Sequence, residues 1–164
     1  MKKQHNCNKK ENICKVNYTE EDLVDHGGVS ALILGNHSVP RMLIFWHKKL
    51  QKWTIPVGKI KHNEVSYHAL IRECKEEVDI DVVNWTNIKM FRQQFEREGR
   101  MVNIYQYLYL VAPTEYKGEA RNAEPDKHSD MKWVTYKEAL AINPKEMTHV
   151  MLIAINELKR ITGL

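Results

Sequence analysis

Residues 58–80 read Gly58-Lys59-Ile60-Lys61-His62-Asn63-Glu64-Val65-Ser66-Tyr67-His68-Ala69-Leu70-Ile71-Arg72-Glu73-Cys74-Lys75-Glu76-Glu77-Val78-Asp79-Ile80. From Glu64 to Val78 the stretch has few β-branched residues and a helical period, with Asn63 as a suitable N-cap. At about 100° per residue, Tyr67, Leu70, Ile71, Cys74 and Val78 fall in one arc, the expected buried face. Glu73, Glu76 and Glu77 gather on the other side, because spacings of three and four meet on a helix. Ser66 and Ala69 share that side and are small, which would leave room above the carboxylates. Three carboxylates this close repel one another unless a cation holds them ionised. Mg²⁺ takes oxygen ligands of this kind and keeps positions for water and phosphate oxygens. The alternative is a solvated acidic face with Lys75 and Arg72 as local partners.

The wider spacing decides between them. Gly58, five residues, Glu64, seven residues, Arg72-Glu73, then Glu76-Glu77 and Asp79-Ile80 resembles the Nudix box, GX5EX7REUXEEXGU, over its full length. Two positions depart from it: Cys74 stands at an aliphatic site, and Asp79 stands where the family has glycine. That glycine ends the helix in a left-handed conformation, which Asp and Asn tolerate best after Gly. Asp79 is therefore expected to serve as the C-cap. Val57 replaces the first glycine of the family's Pro-Gly-Gly.

The resemblance implies fold, chemistry and residue roles. The fold would be α+β, an α/β/α sandwich with a mixed β-sheet. The activity would be divalent-metal-dependent hydrolysis of a nucleoside diphosphate linked to another group, with Mg²⁺ or Mn²⁺ as cofactor. Glu73 and Glu77 would be the main metal ligands, with Glu76 and the Val57 carbonyl as further ones. Glu64 and Arg72 would pair and hold the loop against the helix. Glu124, in the run Glu124-Pro125-Asp126-Lys127-His128, matches a loop glutamate that completes the metal site or activates water. The general base would be Glu73 or Glu124. Lys59 could reach a phosphate. Glu146, Thr148 and His149, at the start of the last helix, could touch a base, as could Ser30 to Leu32 in the first strand. Trp46 and Trp53 could stack on one.

Outside the box, strands are expected at Val29–Leu34, Arg41–Trp46, Trp53–Pro56, Val82–Trp85, Ile88–Phe95, Val102–Val111 and Trp133–Val134. Glu96 to Arg100 reads as a hairpin turn, and Thr114 to Asp130 as a long loop. A second helix covers Val150 to Ile161, with Pro144 marking a start upstream. Residues 1–17 are Lys- and Asn-rich and read as a basic, flexible tail; 18–164 would be one domain.

Composition sets the outer bounds. The chain has 164 residues, 43% apolar and 28% charged, which suits a globular protein and argues against disorder. Twenty-five Lys and Arg against 21 Asp and Glu leave a net charge of +4, which permits an anionic ligand without calling for nucleic acid. Cys7, Cys14 and Cys74 lack CxxC spacing and form neither a disulfide framework nor a zinc site. No apolar run is long enough for a membrane span, and the N-terminus lacks a signal peptide's apolar segment, so a cytoplasmic location is expected.

The expected partner is a small nucleotide, with a homodimer possible. The markers of ADP-ribose and dinucleoside polyphosphate hydrolases are missing at their distances after the box. That leaves a MutT-like (deoxy)nucleoside triphosphate hydrolase in front. Other readings are an enzyme on a nucleotide sugar, a dinucleotide or a capped RNA 5′ end, and a non-catalytic nucleotide-binding module of the same fold.

Overall fold

The computed structural model describes residues 5–8, 13–16 and 26–163. Strands β1 (His5–Asn8) and β2 (Ile13–Val16) pair antiparallel. They occupy part of the stretch expected to be a flexible tail; the remainder of that stretch lies outside the described residues.

The centre of the molecule is β3 (His26–Ile33), which runs parallel to β9 (Arg100–Val111) and antiparallel to the short β6 (Val57–Lys59). β9 in turn pairs antiparallel with β8 (Thr86–Arg97), completing a mixed sheet of order β6-β3-β9-β8. The β8–β9 turn places Glu98 and Gly99 at φ 53° and 73°, the double left-handed geometry of a tight hairpin. A second sheet, of order β11-β4-β5, consists of β4 (Arg41–His47), β5 (Lys52–Thr54) and β11 (His128–Thr135). A bridge from Leu34 to Met42 ties the two sheets together.

Strand alternation sorts the core into two layers. Val29, Ala31, Ile33, Leu43, Phe45, Tyr109 and Val111 pack against Ala69, Leu70, Cys74 and Val78 of α1 (Ser66–Val78). Leu32, Met42, Ile44 and Leu108 face the other way, onto Val150, Met151, Ala154, Ile155 and Leu158 of α3 (His149–Thr162). The sandwich is therefore helix, sheet, helix, as the motif implied.

Several boundaries differ from the sequence reading. α1 begins at Ser66 with Val65 as N-cap, not at Asn63 or Glu64; Asn63 sits at φ 59° in the preceding turn. Its buried arc is rotated toward the acidic side. Ala69 and Glu77 are buried, whereas Tyr67 is 40% exposed and stacks on Trp85. The cause is that β6 and the loop before β11 cover that side of the helix. Pro144–Glu146 forms a single 3₁₀ turn, and α3 starts only at His149. Inside the expected long loop, β10 (Tyr116–Lys117) pairs with β7 (Asp81–Val82). The five-residue α2 (Tyr136–Leu140), closed by a Thr135–Glu138 capping box, is too short to leave a period in the sequence.

Candidate active site

The site is assembled where β6, α1 and the loop before β11 meet. Arg72 is its clamp. Its Nε donates to Glu64 Oε1 at 2.8 Å, and its NH2 donates to Glu64 Oε2 at 3.0 Å and to the Lys59 carbonyl at 2.8 Å. Its NH1 reaches Glu73 Oε1 at 2.6 Å and Glu76 Oε2 at 3.3 Å. Glu64 accepts in addition from the Lys61 N–H at 2.9 Å. Glu64 can do this because it precedes the helix and lies in the loop. Its bonds to Arg72, and then to the Lys61 amide, hold its carboxyl down at about 2. The same pairing holds the Arg72 guanidinium firmly charged. The two residues thus lock the loop 59–64 to the first turns of α1.

Gly58 shows why the box opens on glycine. A Cβ at this position would overlap the Glu73 carboxyl, so the backbone of β6 lies directly against that side chain. Next to it, the Val57 N–H donates to Glu77 Oε2 at 3.3 Å. Val57 therefore meets the acidic cluster through its amide.

Glu77 is only 5% exposed. Burial first, and the nearby charge of Glu73 second, raise its pKa well above the ordinary value of 4.5; the charge of Glu124 adds to this. Glu73 is raised as well, chiefly by burial and against the pull of Arg72. Glu76, by contrast, is exposed.

Glu124 arrives from far along the chain, and Asp79 helps to bring it. Asp79 takes φ 54° and ψ 40°, the left-handed cap its position called for, with its N–H on the Lys75 carbonyl at 3.1 Å. Its carboxylate also binds Lys75 at 3.0 Å and Arg121 at 2.8 Å. The loop then runs along the end of α1: Arg121 N–H donates to the Val78 carbonyl and Ala123 N–H to the Glu77 carbonyl, both at 3.0 Å. Glu124 follows at once, with Lys127 Nζ 2.8 Å from its Oε2. His128, one residue further, is buried between Phe45 and His47, and desolvation lowers its pKa to about 4. Arg121 and Lys127 were not singled out from sequence; their partners lie 42 and 3 residues away, and only the second spacing is a readable one.

The donor set fits a hard divalent cation. Glu73, Glu77 and Glu124 carry oxygen donors only; the charges of Glu73 and Glu124 raise the cost of ionising Glu77, and one long bond from the Val57 amide is set against its burial. Among the described residues, no three Asp, Glu, His or Cys side chains are gathered closely enough to hold a metal ion as they stand. Arg72 on Glu73 and Glu76, and Lys127 on Glu124, supply the positive charge instead.

The sequence-predicted phosphate and base contacts are spread out. Lys59 is exposed at the end of β6. Thr148 is spent on structure: its hydroxyl caps α3 by accepting from Met151 N–H at 3.3 Å and donates to Thr54 Oγ1 at 3.1 Å. Glu146 is exposed on the 3₁₀ turn. His149 is exposed, with its ring 5.9 Å from that of Phe91. Trp46 and Trp53 pack edge to face, and Lys132 Nζ lies 4.2 Å over the Trp53 ring.

With this geometry in place, the family comparison is decisive: the NUDIX domain model matches residues 24–154. The chain belongs to the NUDIX family. Among solved structures, a MutT NUDIX hydrolase from Burkholderia pseudomallei is similar at a TM-score of 0.66 and 25% identity, covering 80% of this chain and 95% of that one. A C. elegans Ap4A hydrolase shares the fold at a TM-score of 0.61 and 17% identity, covering 84% and 98%. By sequence, the mRNA-decapping enzyme subunit 2 of Saccharomyces cerevisiae is 25% identical over 103 residues. That match takes in 63% of this chain and only 10% of the yeast protein. The asymmetrical bis(5'-nucleosyl)-tetraphosphatase of Mus musculus is 24% identical over 116 residues, 66% of this chain and 78% of that protein.

Proposed function

We propose that this NUDIX protein is a divalent-metal-dependent pyrophosphohydrolase of nucleoside diphosphate derivatives, with (deoxy)nucleoside triphosphates as the first substrate class. The observation that carries the reading is Glu73 packed against the bare backbone of Gly58, beside a buried Glu77 that feels the charges of Glu73 and Glu124. Glu73, Glu77 and Glu124 would hold the metal, with exposed Glu76 and the Val57 carbonyl as supplementary ligands. A bound Mg²⁺ or Mn²⁺ would neutralise the negative charge that builds on the phosphate oxygens.

The chain's own residues do the rest. Arg72 keeps Glu73 and Glu76 turned toward β6, and Glu64 keeps Arg72 in place. Removing such a support costs a metal site about 10–100-fold. The proton of the attacking water would pass to Glu73 or Glu124, and Arg72 fixes the orientation of Glu73. Lys59 supplies a cation beside the loop for a phosphate oxygen.

The test is a scan with Mg²⁺. The substrates are nucleoside triphosphates, nucleotide sugars, a dinucleoside tetraphosphate and capped RNA, read by phosphate, pyrophosphate or nucleotide release. Release from triphosphates, reduced about 10²-fold or more in Glu77→Gln, supports the assignment. Full activity in Glu77→Gln would sink the site. Release from none of these, with nucleotide binding retained, would make the protein a binding module. Preferential release from capped RNA, falling steeply with salt, would transfer the reading to an RNA substrate.

A further inference from the structure

Strand β9 breaks its own pattern on the α3 side. By alternation Ile104, Gln106, Leu108 and Leu110 share one face, and Leu108 and Leu110 pack into the α3 layer of the core. Gln106 is the polar member of this row and is only 4% exposed. Its Nε2 has no hydrogen-bond partner among the described residues. A buried amide left unpaired lowers stability, so a native protein that keeps one invites an explanation by use.

The neighbours give the explanation. Across the sheet order β6-β3-β9-β8, Gln106 stands in a row with Lys59, Gly28 and Phe91. Gly28 offers no side chain, and a Cβ there would overlap the Gln106 carboxamide oxygen. The carboxamide therefore leans over the bare backbone of β3, on the Lys59 side of β9. On the opposite side, Phe91 meets the exposed His149 ring edge-on. Lys59 is the residue whose carbonyl Arg72 holds, so one end of the row touches the carboxylate site. The row runs cation, bare backbone covered by the amide, aromatic ring.

We propose that Gln106 is a specificity-determining residue, whose carboxamide hydrogen-bonds the edge of the substrate's nucleobase while Phe91 and His149 flank the ring. This rests on the hydrolase reading above. A glutamine presents a donor and an acceptor side by side, and a base edge presents the same pair in complementary order. The base would satisfy the unpaired Nε2, and a substrate lacking that edge would leave it buried and unpaired. Sites built this way discriminate strongly.

The experiment compares wild type, Gln106→Leu and Gly28→Ala on triphosphates of adenine, guanine, cytosine and uracil with Mg²⁺. Leucine keeps the volume and removes the amide; alanine at 28 displaces the amide without removing it. Wild type should favour one base by about tenfold or more in kcat/KM. Both variants should lose that preference, mainly through KM, with kcat changed by less than about threefold. The melting temperature of Gln106→Leu should stay level or rise, because a buried unpaired amide is gone. An unchanged base ranking with all rates scaled down together would overturn the proposal, as would a wild type indifferent to the base. If wild type hydrolyses no nucleotide, the hydrolase reading falls. Titration with the four nucleoside monophosphates then decides Gln106 alone: base preference lost in Gln106→Leu supports it, and equal affinities overturn it.

Discussion

At the residue scale, two glutamates of one motif titrate in opposite senses. Glu64 is held low, near 2, by its bonds to Arg72 and to the Lys61 amide. Its contribution to stability is complete above its unfolded value of about 4.5 and is lost as pH falls through about 2. Wild type should therefore melt above Glu64→Gln at pH 7, and the gap should close between pH 4.5 and 2. Glu77 is raised by burial and by Glu73. Its ionised form is a burden in metal-free protein, absent below about 4.5 and growing as pH rises through its folded pKa. In chelator at pH 7.5, Glu77→Gln should melt higher than wild type, and the two should converge in acid. Melting curves of the three proteins from pH 2 to 8 check both statements. A Glu77→Gln that melts lower than wild type at pH 7.5 would mean that the buried carboxyl is no burden. Both glutamates were legible in the sequence as motif members. Their opposite burdens were not, since these depend on what covers the helix.

At the element scale, the end of α1 does two jobs with one residue. Asp79 takes the left-handed cap conformation and also grips Arg121, whose loop leads to Glu124. The first job was readable, because a glycine position occupied by Asp still allows a positive φ. The second was not, because Arg121 lies 42 residues on. The helix start was misplaced for a related reason. Asn63 has cap chemistry, yet its φ of 59° belongs to the turn that lets Glu64 fold back on Lys61 and Arg72. Likewise, helical spacing located the carboxylates but assigned Glu77 to the open side. Period alone cannot say which loop will close over a polar face. These two jobs can be separated by mutation. Asp79→Ala should cost about 1–2 kcal/mol, since alanine must carry the left-handed penalty. Asp79→Gly should stay within about 0.5 kcal/mol of wild type, because the ion pairs it loses are largely exposed. Urea denaturation measures both, and equal losses in the two variants would mean that the ion pairs, not the cap, carry the stability.

At the scale of the whole molecule, the two core layers divide the work. The α1 side gathers Glu73, Glu77 and Glu124, and the α3 side carries the row from Lys59 to Phe91 and His149. β3 contributes to both layers, and Gly28 and Gly58 lie directly against Gln106 and Glu73, side chains far from them in sequence. Patterning could give the sandwich, since alternation in β3, β4 and β9 is local. It could not give these close approaches, which are set by strand register. The net charge of +4 hides the division, averaging an acidic pocket with basic surroundings. A divalent cation should therefore act on the whole fold through that pocket. Binding stabilises by mass action, about 2.7 kcal/mol at one hundred times Kd. For a domain of this size that is a rise of about 5–10 °C in melting temperature. Glu73 and Glu77 must shed protons to bind, and both hold them more tightly than ordinary carboxyls. The rise with Mn²⁺ or Mg²⁺ should thus be larger at pH 8 than at pH 5, with proton release on binding. Differential scanning fluorimetry at matched ionic strength reads it, with NaCl and Glu77→Gln as controls. An equal rise in NaCl, or an equal rise in Glu77→Gln, would mean that the cation screens surface charge and does not enter the pocket.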